Sequence, residues 1–200
     1  MPRSLHFPET LTGRVTFTRS TSSDALLQEY PFTMHLRWSI PDLDAFFDDP
    51  RHPVNVSGQV RCEPLGGDLT VSDGSVECFA LEPDGQMVMN YVLSFPAGND
   101  QPLVLQGTKE VVHDRPNDLW PDTTTLPVEV RQADGEQELV AAGRLRLSVF
   151  IVARAVIGMR ATGGPRQALR TIIAFDRFFL AKLASVYLGP VRRSVQAAAF

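Results

Sequence analysis

The sequence predicts a mainly β protein, an antiparallel lipocalin-like barrel finished by a C-terminal α-helix. Three observations point there. Strand-type alternation recurs from residue 8 to about residue 162, interrupted at fairly regular intervals by turn residues. Four of those strands carry a glycine in a similar setting, at Gly13, Gly58, Gly107 and Gly143. Glycine inside a strand marks a bulge, a bend or a close backbone approach, and repeating it around a sheet is one way to curl the sheet shut. The chain then changes character at Gly163-Gly164-Pro165 and runs on without alternation. The glycine pattern also hints at two duplicated halves, near residues 8–82 and 87–160, although the intervals match poorly.

Taken in order, Leu11 to Thr18 reads as the first strand, followed by a polar loop. Next, Phe32, Met34, Leu36, Trp38 and Ile40 share one face, with Thr33, His35, Arg37 and Ser39 on the other. Pro41 to Pro50 reads as a single helical turn with Asp42 as N-cap and Phe46-Phe47 as an apolar plug for one barrel end. Strands follow at Val54 to Cys62, Gly67 to Ser72, Ser75 to Leu81, Met87 to Phe95 and Leu103 to Val112. Further strands are expected at Thr124 to Arg131, Leu139 to Val149 and Phe150 to Arg160. Gly66-Gly67, Asp73-Gly74, Asp84-Gly85 and Asp134-Gly135 supply hairpin chemistry between strands. Pro165 suits the first position of a helix over about 165–188. Its apolar stripe is Leu169, Ile172, Ile173, Phe179, Leu180, Leu183 and Tyr187, widened by Phe175 and Phe178. Gly189-Pro190 stops it, so one domain spans 5–188 and 189–200 is a frayed tail.

The organising stretch of the chain is Met87 to Phe95. At period two, Met87, Met89, Tyr91, Leu93 and Phe95 share one large, soft face. Such a face needs a matching apolar surface or a guest molecule opposite. Strand cores rely mostly on Val, Ile and Leu, whereas methionine adapts to irregular apolar shapes, and buried Tyr or Trp seeks a polar partner. Ordinary core and cavity lining therefore both stay open.

Bulk properties narrow the function classes. Two hundred residues with 44% hydrophobic content can bury a real core. A net charge of -4 without a basic cluster argues against a nucleic-acid partner. No run approaches the roughly 18 apolar residues of a membrane span. The N-terminus lacks the apolar stretch of a secretory signal, so a cytoplasmic location is expected, with Cys62 and Cys78 as reduced thiols.

Motif-borne chemistry is thin. His6, His35, His52 and His113 are scattered without ligand spacing, so no metal site is expected. There is no Gly-x-Ser-x-Gly elbow and no phosphate-binding glycine loop, so no cofactor is expected. Gly163-Gly164 at a helix start could hold an anion, though a loop-to-helix joint explains it equally well. In the acidic segment from Glu110 to Thr125, Asp118 or Asp122 could be a general acid or base at a cavity mouth, beside Trp120. Structurally, both could simply cap local backbone groups, with Trp120 as a hydrophobic lid, and this is the favoured reading.

The words Gly107-Thr108-Lys109-Glu110-Val111-Val112-His113-Asp114 and Asp118-Leu119-Trp120-Pro121-Asp122-Thr123-Thr124-Thr125-Leu126 resemble a β-rich domain found beside, or fused to, bacterial sterol-oxidase-type (GMC) flavin oxidoreductases. Phe46-Phe47-Asp48-Asp49-Pro50, Ser57-Gly58-Gln59-Val60, Leu65-Gly66-Gly67-Asp68-Leu69, Met89-Asn90-Tyr91 and Phe178-Phe179 fit too. The resemblance covers most of the chain and implies a module associated with large, greasy substrates; no flavin-binding part is present, so no oxidase activity follows. In architecture and setting the chain is also similar to the small cofactor-free barrel cyclases of actinobacterial polyketide pathways.

The resulting expectation is a cofactor-independent cyclase that moulds a polyketide-type polyene or macrolactone for ring closure, most simply by cycloaddition. Such chemistry needs preorganisation rather than a nucleophile or a metal. Tyr91 and Trp38 would be the catalytic donors, and Met34, Leu36, Met87, Met89, Leu93, Phe95 and Trp120 would bind substrate. The alternative is a non-catalytic sterol- or lipid-binding accessory protein of an oxidoreductase. A third reading is a structural module that forms a homodimer through its Phe-rich helix.

Overall fold

The computed structural model describes residues 2–18, 28–83, 85–111, 124–135, 137–147 and 158–187. Trp120, Asp118, Asp122, His113, the 189–200 tail and most of the strand expected over 150–160 fall outside these residues. Eight strands close into a barrel. They are β1 (Leu5–Phe17), β2 (Glu29–Ile40), β3 (Pro53–Cys62), β5 (Asp73–Leu81), β6 (Met87–Pro96), β7 (Pro102–Val111), β8 (Thr125–Gln132) and β9 (Leu139–Leu147). All neighbours are antiparallel, and β9 returns to pair with β1 from Leu11↔Leu147 to Phe17↔Ala141. Two short strands are appended: β4 (Gly67–Thr70) on β3, and β10 (Arg160–Ala161) on β1.

Closure depends on glycine where the expectation placed it. A methyl group on Gly13 would lie 2.1 Å from the Arg144 carbonyl oxygen, and one on Gly143 would lie 2.1 Å from that of Arg14. Two strands along from β1, on β3, one on Gly58 would meet the His35 carbonyl oxygen at 2.1 Å, and Gly58 also has a φ of +147°. The inward positions at these corners are therefore filled by the neighbouring backbone.

One turn expectation is corrected. Asp73-Gly74 is not a hairpin turn: both residues belong to β5, where Asp73 pairs with Ser94 and Gly74 with Leu93. The chain bends instead at Val71–Ser72, whose amides bond to the Gly58 and Ser94 carbonyls at 2.9 and 2.8 Å. β4 and β5 pair with successive parts of the same strand, β3. The other turns form as expected, with φ of +120° at Gly66, +84° at Gly85 and +73° at Gly135.

Helix α1 (Leu43–Asp48) starts at Asp42, whose carboxylate accepts from the Asp44 and Ala45 amides at 3.0 and 3.3 Å. It tucks Phe46 under the C-terminal helix α2 (Pro165–Tyr187). The apolar stripe of α2 is rotated from the expected one. Thr171 and Phe175 are buried and Phe178 and Phe179 pack on the barrel, whereas Leu169, Ile173 and Leu180 face outward, Leu180 being 63% exposed. Aromatic partners decide this. Phe178 reaches the rings of Phe46, Phe47 and His52, and Phe179 sits 4.9 Å from Phe79. A bulge between Glu77 and Ala80 turns Phe79 towards the helix, at a φ of +59°. The barrel thus has a turn end, where Gly98 donates to the Leu65 carbonyl at 2.7 Å, and a helix end, covered by α1 and α2.

Candidate functional site

Inside the barrel the alternation of β1 runs Leu5, Phe7, Glu9, Leu11, Gly13, Val15, so that a carboxylate occupies an inward position. On β7 the inward set is Leu103, Leu105, Gly107, Lys109 and Val111, which brings an ammonium group inside. Glu9 is 8% exposed and Lys109 3%. Between them stand Trp38 of β2 and Tyr91 of β6, both buried. Trp38 Nε1 donates to Glu9 Oε2 at 2.9 Å, and the Tyr91 hydroxyl donates to Glu9 Oε1 at 3.2 Å. Lys109 Nζ lies over the Tyr91 ring, 5.7 Å from its centroid. Among the described residues, Lys109 has no carboxylate within ion-pair distance.

Burial sets the electrostatics. Loss of water pushes the Glu9 carboxyl above its ordinary range; the field of Lys109 and the hydrogen bonds from Trp38 and Tyr91 only partly oppose this. Loss of water likewise pulls Lys109 below its ordinary range, against the attraction of Glu9. The same desolvation, followed by the field of Glu9, raises the Tyr91 phenol well above its ordinary range. Both shifts favour the uncharged forms, an acid beside an amine, which together hold the same number of protons as the ion pair. Cys78 also feels Glu9 and Lys109, and burial pushes its thiol far up, while burial of Cys62 pushes that thiol up to about 11. Both cysteines are free and buried, so neither is a reactive thiolate.

A file of rings joins this cluster to the helix. Phe175 of α2 lies 5.4 Å from Phe7, Phe7 lies 5.1 Å from Trp38, and Trp38 meets Tyr91 edge-on at 6.0 Å. His52, buried at a φ of +47°, anchors the helix from below: its Nδ1 donates to the Phe46 carbonyl at 2.8 Å and its ring meets Phe178 at 4.7 Å. Burial holds its pKa below the ordinary histidine value, against the Phe46 hydrogen bond.

Of the residues nominated from sequence, Tyr91 and Trp38 meet at Glu9, and Met34, Leu36, Met89, Leu93 and Phe95 join the same buried cluster. Met87 is only partly buried at its edge. A hollow outlined by described residues, about 330 Å³, lies elsewhere. It sits on the outer wall of β5, β6 and β7, among Glu77, Asn90 and Thr108, which are bonded to one another. Sequence reasoning missed Glu9 and Lys109. Glu9 lay just before the first expected strand, although carrying the Val15, Gly13, Leu11 alternation back one step reaches it. Lys109 had a plainer signal: it shares a strand face with Leu103, Leu105 and Val111. The chain matches no protein-family model, no curated protein and no solved structure.

Proposed function

We propose that this protein is a cofactor-independent cyclase of apolar, carbonyl-bearing chains of the polyketide type, working at the helix end of the barrel. The observation that carries the reading is the Glu9–Trp38–Tyr91–Lys109 cluster inside an otherwise apolar barrel. Taking a carboxyl group and an amine out of water costs several kcal/mol per ion, only partly repaid by their mutual attraction. Perturbed groups of this kind concentrate where chemistry is done. An eight-stranded barrel is just wide enough to be filled by its own side chains or to hold one small ligand. Movement of Phe175 with α2 would free the space in front of Phe7 and Trp38. A guest drawn into that space would be folded against Met34, Leu36 and Met89, with its carbonyl towards the protonated Glu9 or the Tyr91 hydroxyl. Hydrogen bonding there withdraws electrons from the reacting double bonds as the ring closes.

The test uses a linear conjugated triene tethered to an enone. Cyclised product should form faster than in buffer, and Glu9→Gln, Tyr91→Phe and Trp38→Leu should each slow closure, by roughly 10²–10³-fold for loss of a direct donor. Binding without acceleration would contradict the cyclase and leave the second reading, a sterol- or lipid-binding accessory protein of an oxidoreductase. The outward Leu169, Ile173 and Leu180 of α2 favour that reading, since a partner would cover them. The phenylalanines of the same helix are spent on the barrel, so homodimerisation would also have to use this aliphatic side.

A further inference from the structure

We infer that Lys109 is an imine-forming amine, and that the guest of the barrel is an apolar aldehyde or ketone captured covalently. The inference rests on the reading of the barrel as a container for an apolar guest, and adds the functional group that the guest must carry. Its ground is the choice and placement of the cation. The chain holds seventeen arginines and only two lysines, Lys109 and Lys182. Lys182 is partly exposed on α2, its Nζ 5.4 Å from the Phe178 ring. The interior cation is thus the rare lysine. Arginine stays charged in proteins, whereas a lysine in an apolar setting can shed its proton and become a nucleophile.

The neighbours supply the rest of the chemistry. Lys109 Nζ faces the Tyr91 ring, and the Tyr91 hydroxyl and Trp38 Nε1 both bond to Glu9. An amine with no carboxylate in ion-pair contact among the described residues stands beside an acid held in place by two donors. The neutral amine of Lys109 attacks the carbonyl carbon, forming a C–N bond while the C=O π pair moves to oxygen. The amine proton and the Glu9 carboxyl proton convert that oxygen to water, which leaves as the C=N bond forms. The products are one water and an iminium, which keeps the second amine proton on its nitrogen and is paired with the Glu9 carboxylate. No oxidant or reductant is consumed. An iminium attracts electrons more strongly than the parent carbonyl, so it activates an attached alkene for ring closure.

The experiment treats the full-length protein with decanal and sodium cyanoborohydride, then reads intact mass and peptide maps. One decyl group per chain is expected, on Lys109. Lys182→Arg should keep the adduct, and Lys109→Met and Lys109→Gln should reduce it to background. Calorimetry with 1-decanol, which cannot form an imine, reads the container on its own, and both Lys109 variants should still bind it. Decanol binding without a trapped decanal adduct would overturn the imine and leave the container standing. Adducts confined to Lys182 or the α-amine would overturn it likewise. Failure to bind decanol and to trap decanal would overturn both.

Discussion

The two ends of the barrel are built from different materials. At the turn end, Phe32, Phe95, Leu103, Val130 and Ala141 are buried to 2% exposure or less. They are apolar, and such side chains gain by leaving water. At the helix end the same strands bury Glu9, Lys109, Tyr91, Trp38 and Cys78, capped by rings from α1 and α2. Polar groups there are desolvated and only partly compensated. One end stabilises the fold, and the other spends some of that stability on groups with chemical capability.

The largest effect that would sharpen this contrast is at the turn end. Phe95→Ala should cost about 3–5 kcal/mol in urea unfolding, the usual result of emptying a packed aromatic site. It should leave decanal trapping on Lys109 unchanged in the fraction that remains folded. A loss below about 1 kcal/mol would mean that the turn end is loosely packed, and the distinction between the ends would fail.

The smallest effect concerns the anchor of α2. His52 has a folded-state pKa below its unfolded value of 6.5. The unfolded chain therefore takes up the proton first as pH falls, and stability drops once pH passes below about 6.5. Melting temperature should fall between about pH 6.5 and about pH 5, and His52→Asn, which tolerates the left-handed backbone at this position, should flatten that part of the curve. An unchanged slope in His52→Asn would show that the helix anchor does not titrate in this range.

Much of the architecture was legible because it is written in local rules. Period-two alternation gave the strand faces, so Tyr91 and Trp38 were found on the inward side. Turn glycines placed the hairpins at Gly66, Gly85 and Gly135, and Asp42 marked the start of α1. The strand glycines read correctly because a side chain there would collide with the next strand. What failed depended on partners distant in sequence. Asp73-Gly74 carries turn chemistry, yet pairing with Ser94 and Leu93 holds both residues extended. The face of α2 is legible in part: Ile172, Phe175, Phe178, Phe179 and Leu183 pack inward as expected, but hydropathy alone cannot tell that the rings of Phe46, His52 and Phe79 turn Leu169, Ile173 and Leu180 outward. Glu9 and Lys109 were missed for a related reason. A charge on a strand is read by default as the wet face, and only the register of its strand-mates shows that it points inward.

The central claim is that the polar cluster at the helix end is maintained for chemistry and is a burden on the fold. Its most direct measurement is equilibrium urea unfolding of the double variant Glu9→Leu/Lys109→Met at neutral pH. Apolar replacement of a buried charged pair is often neutral or stabilising by about 1–4 kcal/mol, and the account predicts a result in that range together with complete loss of decanal trapping. A double variant several kcal/mol less stable than the natural chain would contradict it, because the cluster would then be holding the barrel together.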